Sequence, residues 1–358
     1  MPYDKACEPS GGAAADDNNF EILLLHDSNI TPVLQFCNSR ICLCALYCSG
    51  NFRMNGFRLA LASAMFCLTC ISALADATWS LKKTDVAAYE SLLKPEQKPD
   101  SRDPLPDGAL AASNDGGDIE EAWYERPTSR YQHGILGDAI EASVLAVRLQ
   151  NGETEKLELP NTEVFEDRTP RIHDLDGDGS AEVVTIRSSV HRGASVSVYG
   201  LREGRLVQIA ATKFIGRPNR WLNVAGIEDY VGNGGFQIAY VQTPHIGGVL
   251  KLVELREGKL KNRAEAGGFS NHFIGSRKMG LSASGDFNQD GRLDLALPDA
   301  DRKALRIVTL AGDVWANVAA FQLPARIDKD MLVDTGPDGQ SVVIGLENGE
   351  YYRLKYAK

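Results

Sequence analysis

The chain has 358 residues, 43% of them apolar, and a formal net charge of −10 at pH 7. This acidic balance argues against nucleic acid as a partner, because a nucleic-acid surface would show a basic stripe. All seven cysteines lie at or before Cys70, so the chain beyond that residue contains neither disulfides nor thiol chemistry.

The first recognisable segment begins at Met54. A short basic stretch precedes an apolar run from Leu59 to Leu74, and Ala73-Leu74-Ala75 stands directly before Asp76. This pattern is typical of a bacterial secretory signal peptide with an A-x-A cleavage site. The alternative is a transmembrane anchor, but a spanning helix needs roughly 20 apolar residues. We therefore predict a periplasmic or secreted product that begins at Asp76 and has no transmembrane anchor after cleavage.

Residues 1–53 precede this signal peptide (residues 54–75) and have no obvious place in an exported product. We interpret them as an over-extended gene start or a non-native segment. A cytoplasmic tail ahead of a signal anchor is the alternative. A zinc site is a weaker interpretation, because the spacing of the cysteines lacks the paired knuckles of structural zinc sites; these are Cys37, Cys42, Cys44 and Cys48.

Residues 76–118 are predicted to be a mostly irregular linker. The stretch 92–118 is rich in Pro, Asp, Gly, Ser and Ala, which favour turns and loops. Before it, Lys82–Leu93 is compatible with a short helix. The repeat-bearing domain is then expected to span residues 119–358.

Internal repetition is the decisive feature of that domain. Four segments carry Asp or Asn and Gly at matching places, and their first residues are 55, 57 and 48 apart; they are Asp174–Gly179, Asp229–Gly234, Asp286–Gly291 and Asp334–Gly339. A β-like run follows each segment, and further short strands come after it. About four strands per roughly 50 residues, without helical periodicity, is typical of one blade of a β-propeller.

Partial units flank the four segments. Residues 131–173 have the same layout, with strands expected near Val144–Leu149 and Lys156–Leu159, whereas Val342–Tyr356 holds only two strands. Ile119–Tyr124 is a further candidate strand. If the two ends share one blade, the ring closes and no sheet edge stays free. The sequence therefore predicts an all-β propeller of about five four-stranded blades; an open β-sandwich or a pair of small sheets is the alternative.

Two of the four segments have the residues of a metal loop. Positions 1, 3, 5 and 9 carry carboxylates or an amide, and the carbonyl of position 7 would add a ligand; the two sets are Asp174, Asp176, Asp178, Ser180 and Glu182, and Asp286, Asn288, Asp290, Arg292 and Asp294. Calcium takes about six to eight oxygen ligands, and a glycine at position 6 lets the chain bend around the ion. We predict two calcium ions; the alternative is a pair of solvated acidic turns.

The spacing excludes an EF-hand, which needs Glu at position 12, where this chain has Thr185 and Leu297. In both loops the last acidic ligand stands at position 9 and a strand follows it directly. This arrangement resembles the FG-GAP repeats of integrin α-chain propellers and of bacterial VCBS-repeat proteins. The resemblance covers about residues 130–345. It implies a propeller fold, an exported location and calcium, but no particular reaction.

The other two segments depart from the motif. Val231 and Gln237 stand at positions 3 and 9 of the second segment, and Gly336 and Val342 stand there in the fourth. We predict that both segments keep the turn and lose the ion.

Several polar residues recur at matching places in the repeat and are candidates for a ligand pocket; they are His133, His191, His245, Arg220 and Arg277. Equivalent positions of a ring converge on one face, so these side chains would suit an anionic or sugar-like ligand. The alternative is that they bond loop carbonyls and recur only because the units recur.

No G-x-S-x-G elbow, H-E-x-x-H helix or phosphate loop is present in the sequence. We therefore expect a binding or interaction module with a protein or carbohydrate partner. The first alternative is a calcium-dependent enzyme, since calcium propellers occur among lyases, glycosidases and phytases. The second is a scaffold for envelope assembly.

Overall fold

The computed structural model describes residues 78–114 and 116–357. The predictions for residues 1–53, for the signal peptide 54–75 and for cleavage before Asp76 lie outside the described residues. Within the described part, no helix is long and apolar enough to span a membrane.

The described residues form 21 strands and one short helix, α1 (Val86–Glu90), which confirms the predicted all-β class. In chain order the strands are β1 (Thr78–Thr84), β2 (Ala111–Ala112), β3 (Ile119–Thr128), β4 (Glu141–Leu149), β5 (Thr154–Glu158), β6 (Glu163–Phe165), β7 (Arg171–His173), β8 (Glu182–Ser189), β9 (Gly193–Arg202), β10 (Arg205–Ala211), β11 (Leu222–Glu228), β12 (Gln237–Gln242), β13 (Val249–Arg256), β14 (Lys259–Gly267), β15 (Ala283–Gly285), β16 (Asp294–Pro298), β17 (Ala304–Ala311), β18 (Val314–Gln322), β19 (Leu332–Gly336), β20 (Gly339–Gly345) and β21 (Tyr351–Ala357).

These strands form four antiparallel sheets, and none of the sheets closes on itself. Three are four-stranded, in the orders β11-β12-β13-β14, β15-β16-β17-β18 and β1-β21-β20-β19. The fourth has nine strands, because β6 pairs with both β4 and β8 and so joins two groups of four. We call the five groups units: β2–β5 is the first, β7–β10 the second, β11–β14 the third, β15–β18 the fourth, and β19–β21 with β1 the fifth.

The second unit illustrates why its strands lack a simple apolar–polar alternation. In β8, Val183 packs into a core shared with the first unit, whereas Val184 and Ile186 pack into a core shared with the third. Alternate residues of a strand point to opposite faces, so a strand covered on both faces is apolar throughout. Burial on both faces explains the continuous apolar runs that follow the turns.

The strand that completes the fifth unit differs from the expectation. Thr78–Thr84 pairs with Tyr351–Ala357 over its whole length, whereas Ile119–Thr128 pairs with Glu141–Leu149 in the first unit. Ile119–Tyr124 is thus part of a strand, as predicted, but this strand belongs to the first unit and is not the one that pairs with the C-terminal strands. Its apolar side chains Ala122 and Tyr124 are buried in the core of the first unit, next to the strand that follows it in the chain.

The rest of the predicted linker has little regular structure but makes specific contacts. Asp85 caps α1 by accepting a hydrogen bond from the backbone N–H of Ala88 (2.7 Å), so the helix is shorter than predicted. Tyr89 packs on Tyr351 of the fifth unit, with ring centroids 4.9 Å apart. Further along, the backbone N–H of Leu105 donates to the carbonyl of Tyr124 in the first unit (3.0 Å). Residues 85–110 thus contact both the fifth unit and the first.

Candidate metal and ligand sites

The loop 174–182 connects β7 and β8 and is held by its first residue. Oδ1 of Asp174 accepts hydrogen bonds from the backbone N–H groups of Gly177 (2.8 Å) and Asp178 (3.1 Å), and Oδ2 accepts one from Gly179 (2.9 Å). Gly177 and Gly179 have φ values of 76° and 88°, which only glycine adopts at little cost. The Asp-x-Asp-Gly-Asp-Gly motif therefore builds its own turn.

Three carboxylates converge inside this loop. Asp174, Asp176 and Glu182 each place an oxygen within 4.8 Å of the others. Burial raises the pKa of Glu182 to about 7, and repulsion from the loop's three aspartates adds to the rise. Among the described residues, no lysine or arginine forms an ion pair with these groups. A divalent cation bound here would have converging oxygen ligands and would remove the repulsion.

The loop 286–294 has the same type of backbone hydrogen bonds to its first aspartate, but a smaller net negative charge. Asp286 accepts hydrogen bonds from the backbone N–H groups of Asp290 and Gly291, both at 3.0 Å. Burial raises the pKa of Asp294 to about 6, and its buried Oδ1 has no hydrogen-bond partner. However, the Arg292 guanidinium lies 2.9 Å from Oδ2 of Asp290 and lowers the pKa of that carboxyl. This loop therefore has an internal cation that the loop 174–182 lacks.

The loop 229–237 keeps the turn but contains an amide in place of a carboxylate. Asp229 again accepts hydrogen bonds from three backbone N–H groups, at 2.7 to 3.0 Å. Oε1 of Gln237 accepts from the N–H of Val231 (3.0 Å), and its Nε2 donates to the carbonyl of Gly235 (2.6 Å). The neutral amide satisfies the loop internally, so no ion is needed there.

The fourth segment keeps a turn, as predicted, but this turn is a tight hairpin at residues 337 and 338 and not a loop held by its first aspartate. Asp334 lies within β19 opposite Ser341, and the hairpin closes where Gly336 pairs with Gly339. Arg353 forms an ion pair with the Asp334 carboxylate. The pairing of β19 with β20 therefore uses the residues that elsewhere form the loop.

Two of the five predicted pocket residues lie near the buried indole of Trp221. His133, in the connection between β3 and β4, places Nδ1 2.5 Å from Oε1 of Glu166. The backbone carbonyl of Glu166 accepts a hydrogen bond from Nε1 of Trp221 (3.0 Å), and His245 stacks on the same indole. We call these residues, together with His272, the Trp221 cluster.

His272 was not among the predicted pocket residues. Its two hydrogen bonds show which ring nitrogens of His272 and His245 carry a proton. Its Nε2 lies 3.0 Å from the carbonyl of Ser276, and its Nδ1 lies 3.0 Å from Nε2 of His245. Because a carbonyl only accepts, His272 carries its proton on Nε2 and accepts from His245 at Nδ1. Burial lowers the pKa of His272 to about 3 and that of His245 to about 4, so both rings are neutral.

In the described part of the chain, the side chains of the other three predicted residues form no hydrogen bond, ion pair or ring contact with this cluster. His191 is exposed in the turn between β8 and β9. Arg220 donates from Nη1 to the carbonyl of its neighbour Asn219 (3.0 Å). Arg277 is exposed and pairs with Asp107 (3.2 Å) and Asp138 (2.7 Å). The expected convergence of all five side chains is therefore not observed.

Two buried acids near strand ends were not predicted: Glu141 is the first residue of β4, and Asp167 follows β6. Glu141 is 2% exposed, its Oε1 has no hydrogen-bond partner, and burial raises its pKa well above the usual value. Asp167 is fully buried and pairs with Nη1 of Arg171 at 2.6 Å. Its Oδ2 also accepts a hydrogen bond from the hydroxyl of Tyr124 (2.9 Å). Single acidic residues at strand ends carry no sequence pattern that separates them from surface acids.

No family model matches this chain, and no curated protein is significantly similar to it in sequence.

Proposed function

We propose that this protein is an exported, calcium-stabilised β-propeller of five four-stranded blades that acts as a binding or interaction module. The observation that carries the proposal is the convergence of Asp174, Asp176 and Glu182 in a loop that supplies no cation of its own. Propellers serve many functions, so the fold alone does not favour a reaction.

The arrangement of the five units supports the ring. Each pair of consecutive units shares one hydrophobic core, from the first and second units to the fourth and fifth. Residues 85–110 contact the fifth unit and the first, so they would fill the remaining interface. A strand from near the start of the described chain completes the last sheet, as expected if a ring is to close.

Charge and burial support calcium at the loop 174–182. Calcium prefers carboxylate and carbonyl oxygens, and the loop offers these without nitrogen or sulfur ligands. Two unit charges 4 Å apart repel by about 4 kcal/mol at an effective dielectric constant of 20, so a bound cation would stabilise this loop strongly. The proposal extends to the loop 286–294, where Arg292 already offsets part of the charge and weaker binding is expected.

The internal contacts of Arg277 and His245 favour binding elsewhere on the surface over catalysis at these two side chains. Arg277 is held by two carboxylates, and His245 and His272 satisfy each other. Export is proposed from the signal-peptide pattern of residues 54–75. A protein or a carbohydrate is the proposed partner.

Thermal unfolding in chelator and in millimolar calcium tests this proposal. Binding to the folded state alone stabilises by about 2.7 kcal/mol at 100 times Kd, and extracellular calcium modules have Kd values on the order of 10⁻⁴ to 10⁻³ M. Asp176→Ala should remove most of the rise in Tm, Asp290→Ala a smaller part, and the double variant nearly all of it. Asp229→Ala is the matched control and should keep the calcium response. A Tm that ignores both calcium and chelator would refute the metal site.

General acid–base catalysis is a second candidate function, supported by the pairing of His133 with Glu166. Glu166 is fully buried, accepts a hydrogen bond from the Ser188 hydroxyl and orients the imidazole. Nearby, Glu141 has the raised pKa of a carboxyl that stays protonated and can donate a proton. Incubation with aryl glycosides, phosphate esters and acidic polysaccharides would test this candidate. Turnover that His133→Gln abolishes, with an unchanged Tm, would support it, and no turnover of any class would count against it.

A further inference from the structure

A cleft of about 580 Å³ lies between the second and third units, where the connection after β10 faces β12, β13 and β14. Apolar side chains form part of its lining. Phe214 and Leu260 line it, and Leu260 packs against the core that the two units share. A cleft of this size accommodates several residues of a peptide or a small ligand.

The charge of the cleft is opposite to that of the protein. Lys213, Lys251 and Lys259 line it, and no aspartate or glutamate does, although the chain carries a net charge of −10. Nζ of Lys251 lies 3.5 Å from Glu265, whose side chain is 58% exposed. Lys213 and Lys259 form no ion pair among the described residues.

Two arginines extend the positive charge beside the cleft. The guanidinium of Arg192 lies 4.1 Å from the centre of the Phe214 ring, and that of Arg187 lies 5.0 Å from it. Both also pair with Glu163, which offsets part of their charge. A site that places basic side chains beside apolar ones attracts a ligand that combines acidic and apolar groups.

The backbone beside the cleft favours a peptide among such ligands. Within residues 78–114 and 116–357, β10 pairs only with β9 and β14 pairs only with β13, so each of the two has one edge without a strand partner there. An extended peptide can add to such an edge through main-chain hydrogen bonds, with alternate side chains entering the cleft.

We propose that this cleft binds an acidic segment of a partner protein in extended conformation. Carboxylates of the segment pair with Lys213, Lys251 and Lys259, and apolar side chains between them pack on Phe214 and Leu260. The inference rests on the proposed binding function and names the class of partner.

Fluorescence anisotropy with a labelled peptide of repeating Glu-Ser-Val-Ser units tests the inference, because in an extended chain its Glu and Val side chains lie on the same face. The full chain should bind this peptide and should not bind a Lys-Ser-Val-Ser peptide of equal length. The variant Lys213→Ala/Lys251→Ala/Lys259→Ala should bind about tenfold more weakly, because three exposed ion pairs together contribute roughly one decade in affinity. The difference should shrink as salt rises from about 20 to about 300 mM.

A second triple variant supplies the matched control. Lys82→Ala/Lys94→Ala/Lys303→Ala removes the same charge from exposed positions outside the cleft and should change affinity by less than about twofold. An equal loss in both variants, or no loss in the cleft variant, would overturn the inference. Binding of polygalacturonate at the cleft without binding of the peptide would also overturn it, in favour of a carbohydrate. The rise in Tm with calcium, measured on the same samples, reports separately on the proposed calcium site and on folding.

Discussion

Replacing Glu182 by glutamine changes one charge and almost no volume inside the loop 174–182. In chelator, the wild-type carboxyl has a pKa of about 7, raised by burial from 4.5. Because the folded protein raises this pKa, the protonated carboxyl of Glu182 makes its full contribution to the free energy of unfolding below pH 4.5. That contribution is lost as the pH rises through 7. At pH 8 this ionisation costs about 2 kcal/mol, after allowance for screening by solvent.

Glu182→Gln should therefore raise the stability of the calcium-free protein at pH 8 by about 2 kcal/mol, or about 4 °C in Tm. The amide oxygen can still accept the hydrogen bond from the backbone N–H of Leu175, which Glu182 now accepts at 2.9 Å. Gln237 shows that an amide fits a loop of this kind. In millimolar calcium the order should reverse if calcium binds as proposed, because the variant lacks one of the proposed carboxylate ligands.

Circular dichroism melting curves in chelator and in calcium, at pH 5 and pH 8, would measure both effects. At pH 5 the wild-type carboxyl is protonated, so the advantage of the variant in chelator should nearly vanish. The reasoning would be refuted if the variant were less stable than the wild type in chelator at pH 8. It would also fail if the two proteins gained equally from calcium.

Three further changes test the packing and the buried charges. His272→Gln should reduce the loss of stability between pH 6.5 and about 4 in urea titrations, because the wild-type ring has a pKa of about 3 and only the unfolded chain takes up the proton. Arg171→Leu leaves the Asp167 carboxylate buried and should cost about 3 kcal/mol in the same assay, part of which Asp167→Asn should restore. Gly248→Ala would place a Cβ 1.7 Å from a backbone carbonyl and should lower Tm by several degrees, whereas Gly267→Ala, with no atom within 4 Å, should not.

The loops were predictable from the sequence because their contacts are local. Asp174 and Asp286 each accept backbone hydrogen bonds from residues three to five positions further on, so the motif determines the turn. The segment that begins at Asp334 shows that the motif alone does not always determine the loop. It has Asp and Gly at the same positions, yet the pairing of β19 with β20 and the ion pair with Arg353 give it another conformation.

Contacts between residues far apart in the sequence could not be predicted in this way. His191 and His245 occupy similar turns of adjacent units, but only His245 meets a histidine from the following connection. Which side chain faces a turn depends on how neighbouring sheets pack, and periodicity along one strand does not encode this. Thr78–Thr84 was missed for the same reason, since its partner strand lies at the other end of the described chain.

That partner strand has a consequence for the order of folding. During synthesis, Thr78–Thr84 emerges long before its partner Tyr351–Ala357, so the sheet of the fifth unit is completed only after that last strand has been made. Pairing these two strands closes a loop of almost the whole described chain and therefore carries an entropic penalty. The hydrophobic cores that form earlier between consecutive units must already have reduced this penalty. Truncation at either end would open the same sheet: loss of β1 should expose an edge of β21 to aggregation, and loss of β21 should expose an edge of β20.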